Sequence, residues 1–210
     1  MLIDAVAENP HAASMRRTLL LLIVSVLFSS AALAQAPAGV PVFAVTPVQS
    51  QIKFEVDASV AIKGTFDKWN ASLTFGSADI SSGKLEVEIQ ADSVDTGSGM
   101  KNSKLKSSDF FDVKNNPLIS FKSTKLVQTG PTTFEVDGNF TIRGVTRPEK
   151  LKLTVSGAGT GSGTIAGTMV FDRKQYGMNS GIPFIRIADR VEVSFNLKAN
   201  RVSGPPVKLD

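Results

Sequence analysis

Apolar and polar residues alternate along this chain in one segment after another. Leu85, Val87 and Ile89 are interleaved with Lys84, Glu86, Glu88 and Gln90. The same period of two returns in Phe134/Val136/Gly138/Phe140/Ile142, in Leu151/Leu153/Val155/Gly157 and in Val191/Val193/Phe195/Leu197/Ala199. Successive side chains of a strand point to opposite faces, so each segment has one apolar and one polar face. The pattern predicts eight strands, at 50–58, 61–76, 83–91, 117–127, 132–142, 147–157, 163–172 and 189–200. Ser81-Ser82-Gly83, Thr129-Gly130-Pro131, Gly144 with Pro148, and Gly159 to Gly163 supply the turns. Even spacing and short turns fit an all-β antiparallel barrel or sandwich, not a parallel sheet covered by helices. One apolar face carried round eight strands needs a shared interior, and function is expected there.

Two stretches break the rhythm. Residues 92–116 are too long for a hairpin turn; Met100 to Lys106 predict a short helix, followed by Ser108-Asp109-Phe110-Phe111-Asp112-Val113. Residues 173–188 form a second irregular piece, apolar at Ile182, Pro183, Phe184, Ile185 and Ile187. Long apolar loops in a compact domain are functional rather than disordered. Both are expected to fold over one end of the barrel. Phe110, Phe111 and Phe184 then cover the mouth, and Lys101 and Lys104 form a rim that attracts anionic groups.

The N-terminus reads as a leader. Met15-Arg16-Arg17 is a positive start, Leu19 to Phe28 is apolar except for Ser25, and Ala32-Leu33-Ala34 is a small-x-small cleavage pattern. The apolar run is about half the ~20 residues that a spanning helix needs, so cleavage before Gln35 is expected and no stable membrane span. The organisation is then a signal peptide at 1–34, a tether at 35–42, a barrel at 43–202 and a tail at 203–210. Loss of 1–34 removes two arginines, Asp4 and Glu8, which leaves the net charge at +4. It also removes His11, the single histidine of a chain with no cysteine.

That composition excludes much chemistry. Without His or Cys in the mature chain no Ser-His-Asp or Cys-His arrangement can form, and zinc and copper lose their commonest ligands. No catalytic residue, metal site or cofactor is expected. Asp109 and Asp112 are a conceivable carboxylate pair, but short Asp side chains around Phe110-Phe111 read more simply as turn residues. The basic residues are scattered rather than clustered on one face, which argues against nucleic acid.

The inward positions are large and apolar: Phe54, Val56, Phe66, Trp69, Leu73, Leu85, Val87, Ile119, Phe121, Phe140, Met169, Phe171, Val193 and Phe195. On the same face stand Ala58, Gly64, Ala71, Gly138, Gly157 and Gly167. An eight-stranded barrel is filled by its own side chains or holds one small ligand. Small inward residues tip the choice towards a cavity, in which larger side chains at Gly138 or Gly167 would displace ligand. An interior without buried charge suits a long hydrocarbon whose polar head stays at the mouth.

Six motifs in order carry a further likeness: Ala91 to Gly97; Leu105 with Ser108 to Val113; Pro117 to Ser123; Gly138 to Pro148; Asp172-Arg173 with Tyr176-Gly177; and Asp189 before the last strand. Together they resemble the YceI-like polyisoprenoid-binding family. The resemblance implies a lipocalin-like antiparallel barrel exported to the periplasm, with a long apolar channel for an isoprenoid, quinone-like or similar amphiphilic lipid. Three histidines of the family are absent here, where Gln49, Ala58 and the segment Lys101-Asn102-Ser103-Lys104-Leu105 stand instead. The expectation is a non-enzymatic carrier or store of such a lipid, monomeric or as a homodimer. The alternative is a filled barrel serving as a stress-related interaction module.

Overall fold

The structure, a computed structural model, describes residues 39–209 except Val60, Ala158, Gly159, Ile182 and Pro183. The leader and half of the tether therefore lie outside the described residues. Among the described residues the strands are β1 (Val42–Ala58), β2 (Ile62–Phe66), β3 (Trp69–Phe75), β4 (Gly83–Gln90), β5 (Val94–Asp95), β6 (Leu118–Gln128), β7 (Thr133–Ile142), β8 (Val145–Ser156), β9 (Ser162–Asp172) and β10 (Ile187–Ser203), with one α-helix, α1 (Gly99–Lys106). All pairings within the sheet are antiparallel. The order runs β3-β4-β6-β7-β8-β9-β10-β1, and β1 returns to β3 through Val42 and Thr74, which closes an eight-stranded barrel.

Three departures from the predicted strands have local causes. β1 starts at Val42 because 42–46 pair with β10 beyond a bulge at 47–50, where the period of two is lost. Gln49 takes a φ of 65° there, and the Ser50 hydroxyl stitches the bulge by donating to the Thr46 carbonyl and accepting from the Lys198 amide. The predicted strand 61–76 is bent at Asp67-Lys68 into β2, which pairs with β1 and β5, and β3, which pairs with β4. The tail is not free: the Lys208 amide donates to Ala78 and its carbonyl accepts from Ile80, so residues 206–209 cross one end of the barrel.

The turn between β7 and β8 shows how register is set. Arg143 and Gly144 have φ of 53° and 73°, the geometry of a two-residue hairpin turn whose twist matches that of the strands. Ile142 and Val145 are thereby paired, and Phe134, Val136, Gly138, Phe140 and Ile142 all face inward.

Small residues do not hollow out the interior. A Cβ built on Gly167 would sit 2.2 Å from Cζ of Phe195, its direct cross-strand partner. A Cβ on Gly138 would sit 2.3 Å from Cζ of Phe121 and 2.8 Å from the Lys122 carbonyl oxygen. Gly64 lies under the ring of Phe54 in the same way. Each ring occupies the volume its glycine leaves, a cross-strand pairing that fills the barrel. This corrects the expectation of a cavity at Gly138 and Gly167. Gly157 is not inward at all: it turns β8 into β9 with φ 74°.

Candidate functional site: the apolar end of the barrel

The filled middle leaves one small cavity at each end. The cavity at the tail end, about 100 Å³, is lined by residues including Phe43, Leu73, Phe75, Val207 and Leu209. The opposite cavity is about 60 Å³ and its wall is wholly apolar. Phe54, Val56, Phe66, Ile119, Phe140, Phe171 and Val193 of the predicted interior line it. So do Phe110 and Phe111, both buried, with Leu105 of α1. Phe54, Phe66 and Phe111 form an aromatic cluster with centroids 5.6–6.4 Å apart, the usual range for tilted and edge-on pairs.

The other predicted residues fall elsewhere. Leu85, Val87, Phe121, Met169 and Phe195 are buried but line neither cavity. Leu73 belongs to the tail-end cavity, and Trp69 is half-buried against the core. Phe184 does not cover the mouth: its side chain is fully exposed, 107% of its reference, on a backbone with φ 64°. The neighbouring Ile182 and Pro183 lie outside the described residues. Ile62, Ile89, Ile142, Met178, Ile187 and Val191 also line it and were not among the predicted site residues, although Ile89, Ile142 and Val191 carry the same alternation and Ile187 belongs to the apolar loop.

A polar clasp closes the roof over this cavity. Lys104 of α1 pairs with Asp109 and lies 5.9 Å from the Phe110 ring centroid. Asp109 also accepts from the Ser180 hydroxyl at 3.2 Å, joining the 107–116 segment to the 177–188 segment. The Lys104 hydrogen bond, then its charge and Ser180, hold the Asp109 carboxyl below the usual carboxylate range. From the β7–β8 turn, Arg143 donates to the carbonyls of Ser108 (2.8 Å) and Gly177 (2.7 Å), tying both segments again. Asp112, with φ 50°, accepts from the amides of Asn115 and Asn116. Asp109 and Asp112 thus hold the loop together. Lys101 is half-buried on α1.

Arg173 is the residue that alternation alone does not reveal. It is 6% exposed. Its stem faces the apolar cavity, while its guanidinium donates to the carbonyls of Ala188 (3.0 Å), Ser180 (3.1 Å) and Met178 and to Asp189 (3.2 Å). One planar fork thereby fixes a loop that lacks regular structure. Tyr176, fully buried, packs edge-on to Phe140 and Phe171 and donates to Glu149 at 2.7 Å. Burial, and then Glu149, push its hydroxyl pKa upward.

The site is an apolar barrel end under a polar roof. Among the described residues no three His, Cys, Asp or Glu side chains come together as metal ligands, and no helix is long and apolar enough to cross a membrane. The model of the YceI-like domain matches residues 43–199, the whole barrel and its roof.

The chain belongs to the YceI-like domain family. YceI-like relatives include UPF0312 proteins of Pseudomonas savastanoi pv. phaseolicola, 36% identical over 98 residues, and of Pseudomonas aeruginosa, 35% identical over 96. These alignments cover 47% and 46% of this chain and 51% and 50% of the relatives, so the chain spans about half the length of the curated relatives it matches. Burkholderia cenocepacia BcnA shares the YceI-like barrel with a TM-score of 0.67 at 26% identity, over 74% of this chain and 99% of BcnA. A Saccharophagus degradans domain described as polyisoprenoid binding has the same fold, with a TM-score of 0.60 at 16% identity, over 77% of this chain and 99% of that domain.

Proposed function

We propose that this chain binds a long-chain isoprenoid or similar amphiphilic hydrocarbon in the barrel end beneath Phe110 and Phe111, and carries or stores it without catalysis. The carrying observation is the wholly apolar cavity roofed by a segment outside the sheet, held by side-chain contacts and by short-range backbone bonds such as Phe111 N–H to the Leu105 carbonyl and Val113 N–H to the Lys106 carbonyl. Its volume of about 60 Å³ is smaller than the ~150 Å³ that admits benzene in an apolar cavity. A hydrocarbon therefore enters by lifting the roof, with Phe110 and Phe111 leaving the space that the ligand takes. The polar head then stays near Lys104 and Asp109. The fold shared with a domain described as polyisoprenoid binding supports this reading. A mature chain without His or Cys supports a binding role rather than an enzymatic one. The leader pattern supports a periplasmic location.

The packing of Phe121 and Phe195 into the glycine sites favours a second reading, a filled barrel acting as an interaction module. Organic extraction of protein purified from the periplasm separates the two. The carrier reading expects an intact mass matching residues 35–210 and one co-purified isoprenoid per chain. Protein that is lipid-free after isoprenoid-rich expression, and that takes up none on incubation, supports the filled barrel.

A further inference from the structure

The outer wall of the barrel holds a groove of about 620 Å³ that the lipid reading does not use. It crosses five strands, and register builds it. Lys53 is paired with Ser194, Ser194 with Thr168, Thr168 with Lys152, and Lys152 with Glu135. These five residues form one straight outward row. The adjacent row is built likewise by Gln51, Asn196, Ala166, Thr154 and Thr133. Short side chains on β9 and β10 make the floor, and long ones on β1, β7 and β8 make the walls.

The groove is ligand-sized, hydroxyl- and amide-rich, and positively charged. Each acid around it already has a cation: Glu135 pairs with Lys150 at 2.7 Å, Glu55 with Lys63 at 2.8 Å, and Glu192 with Arg190 at 3.2 Å. Among the described residues the side chains of Lys53 and Lys152 make no ion pair or hydrogen bond. Three strand spacings separate them, roughly 14 Å at ~4.8 Å per strand. That reach exceeds a single small anion.

Other partners fit less well. Phe134, Leu153 and Phe195 border the groove, but all three are buried and face the barrel interior, so a protein partner finds no exposed anchoring side chain and a nucleic acid finds no stacking platform. The floor strands β9 and β10, and the β8 wall beside them, are paired on both sides, which leaves no edge for an added strand.

We propose that this groove is a second binding site, for a linear hydroxyl-rich chain bearing spaced carboxylates: an acidic oligosaccharide. The floor hydroxyls and amides bond its hydroxyls, and Lys53 and Lys152 hold two of its carboxylates.

The test is calorimetric titration of the purified protein with a uronic acid hexasaccharide, with an uncharged hexasaccharide, and with inorganic phosphate as competitor. Saturable binding of the acidic chain is expected, weakening as salt is raised, with the neutral chain at least about tenfold weaker. Lys53→Gln with Lys152→Gln should lower affinity about 100-fold, near tenfold per charge-assisted contact, at an unchanged thermal midpoint. Lys84→Gln with Lys125→Gln, which removes the same charge elsewhere, should leave affinity unchanged. Thr168→Trp, which fills the floor from outside, should abolish binding. The proposal is overturned by absence of saturable binding, by equal binding of the neutral chain, by equal losses in the two lysine pairs, or by displacement with equimolar phosphate.

Discussion

Arg173→Met is expected to cost about 3–5 kcal/mol of stability, a loss typical of breaking a buried charged network. The methionine keeps an apolar stem against the cavity. It leaves the carbonyls of Met178, Ser180 and Ala188 without the donor that now satisfies them. Each unpaired buried polar group costs roughly 1–3 kcal/mol. The thermal midpoint should fall on the order of 10 °C for a domain of this size. Arg173→Lys should rescue little, because one ammonium cannot span three carbonyls and Asp189 as the planar fork does. Arg190→Met is the control: its pair with Glu192 is exposed and should change stability by less than ~1 kcal/mol. Thermal and denaturant unfolding of the three variants measures this. A stable Arg173→Met protein would mean that the 177–188 segment is held by other contacts.

Gly167→Leu is expected to be comparably severe. Its first side-chain carbon already falls 2.2 Å from the Phe195 ring, inside any van der Waals contact. Overpacking a well-filled core typically costs ~1–3 kcal/mol, and a leucine beneath a buried aromatic ring belongs at or beyond the upper end. Gly138→Leu meets the Lys122 carbonyl as well as Phe121, and backbone yields less than a ring. The informative experiment is a double-mutant cycle. Gly167→Ala and Phe195→Leu should each destabilise, and together cost clearly less than their sum, because the smaller residue vacates what the methyl needs. Strict additivity would show that ring and glycine do not share one space.

These effects mark where sequence reading succeeds and where it stops. The strands were legible because one face of each is buried, which forces a period of two on residues such as Leu85, Val87 and Ile89. The helix was legible at 100–106, within one residue of its start. The bulge at 47–50 and the bend at Asp67-Lys68 were not, because each is decided by partners distant in sequence. The glycines misled for the same reason. A glycine on an inward face signals space, but only the paired strands show that Phe195 stands across from Gly167 and that the Phe121 ring reaches Gly138 from a diagonal position. The roof residues Phe110 and Phe111 were visible as apolar residues in an irregular stretch. Arg173 stood in the Asp172-Arg173 motif, but its buried role was not visible, since alternation assigns a charged residue to the outside and cannot foresee three carbonyls arranged around it.

The most direct measurement of the carrier account is a titration of the delipidated protein with a long-chain polyprenol. Trp69, the single tryptophan, packs against the core and reports binding by its fluorescence. The absence of cysteine makes a second arm possible: Asp109→Cys with Ser180→Cys, joined through two thioethers by a short bis-alkylating reagent, locks the roof at the contact that now spans 3.2 Å. The account predicts saturable binding of one polyprenol per chain, with an association rate at least tenfold lower in the locked protein and restored when the cysteine pair is left unjoined. No saturable binding, or the same rate with the roof locked and free, would contradict it.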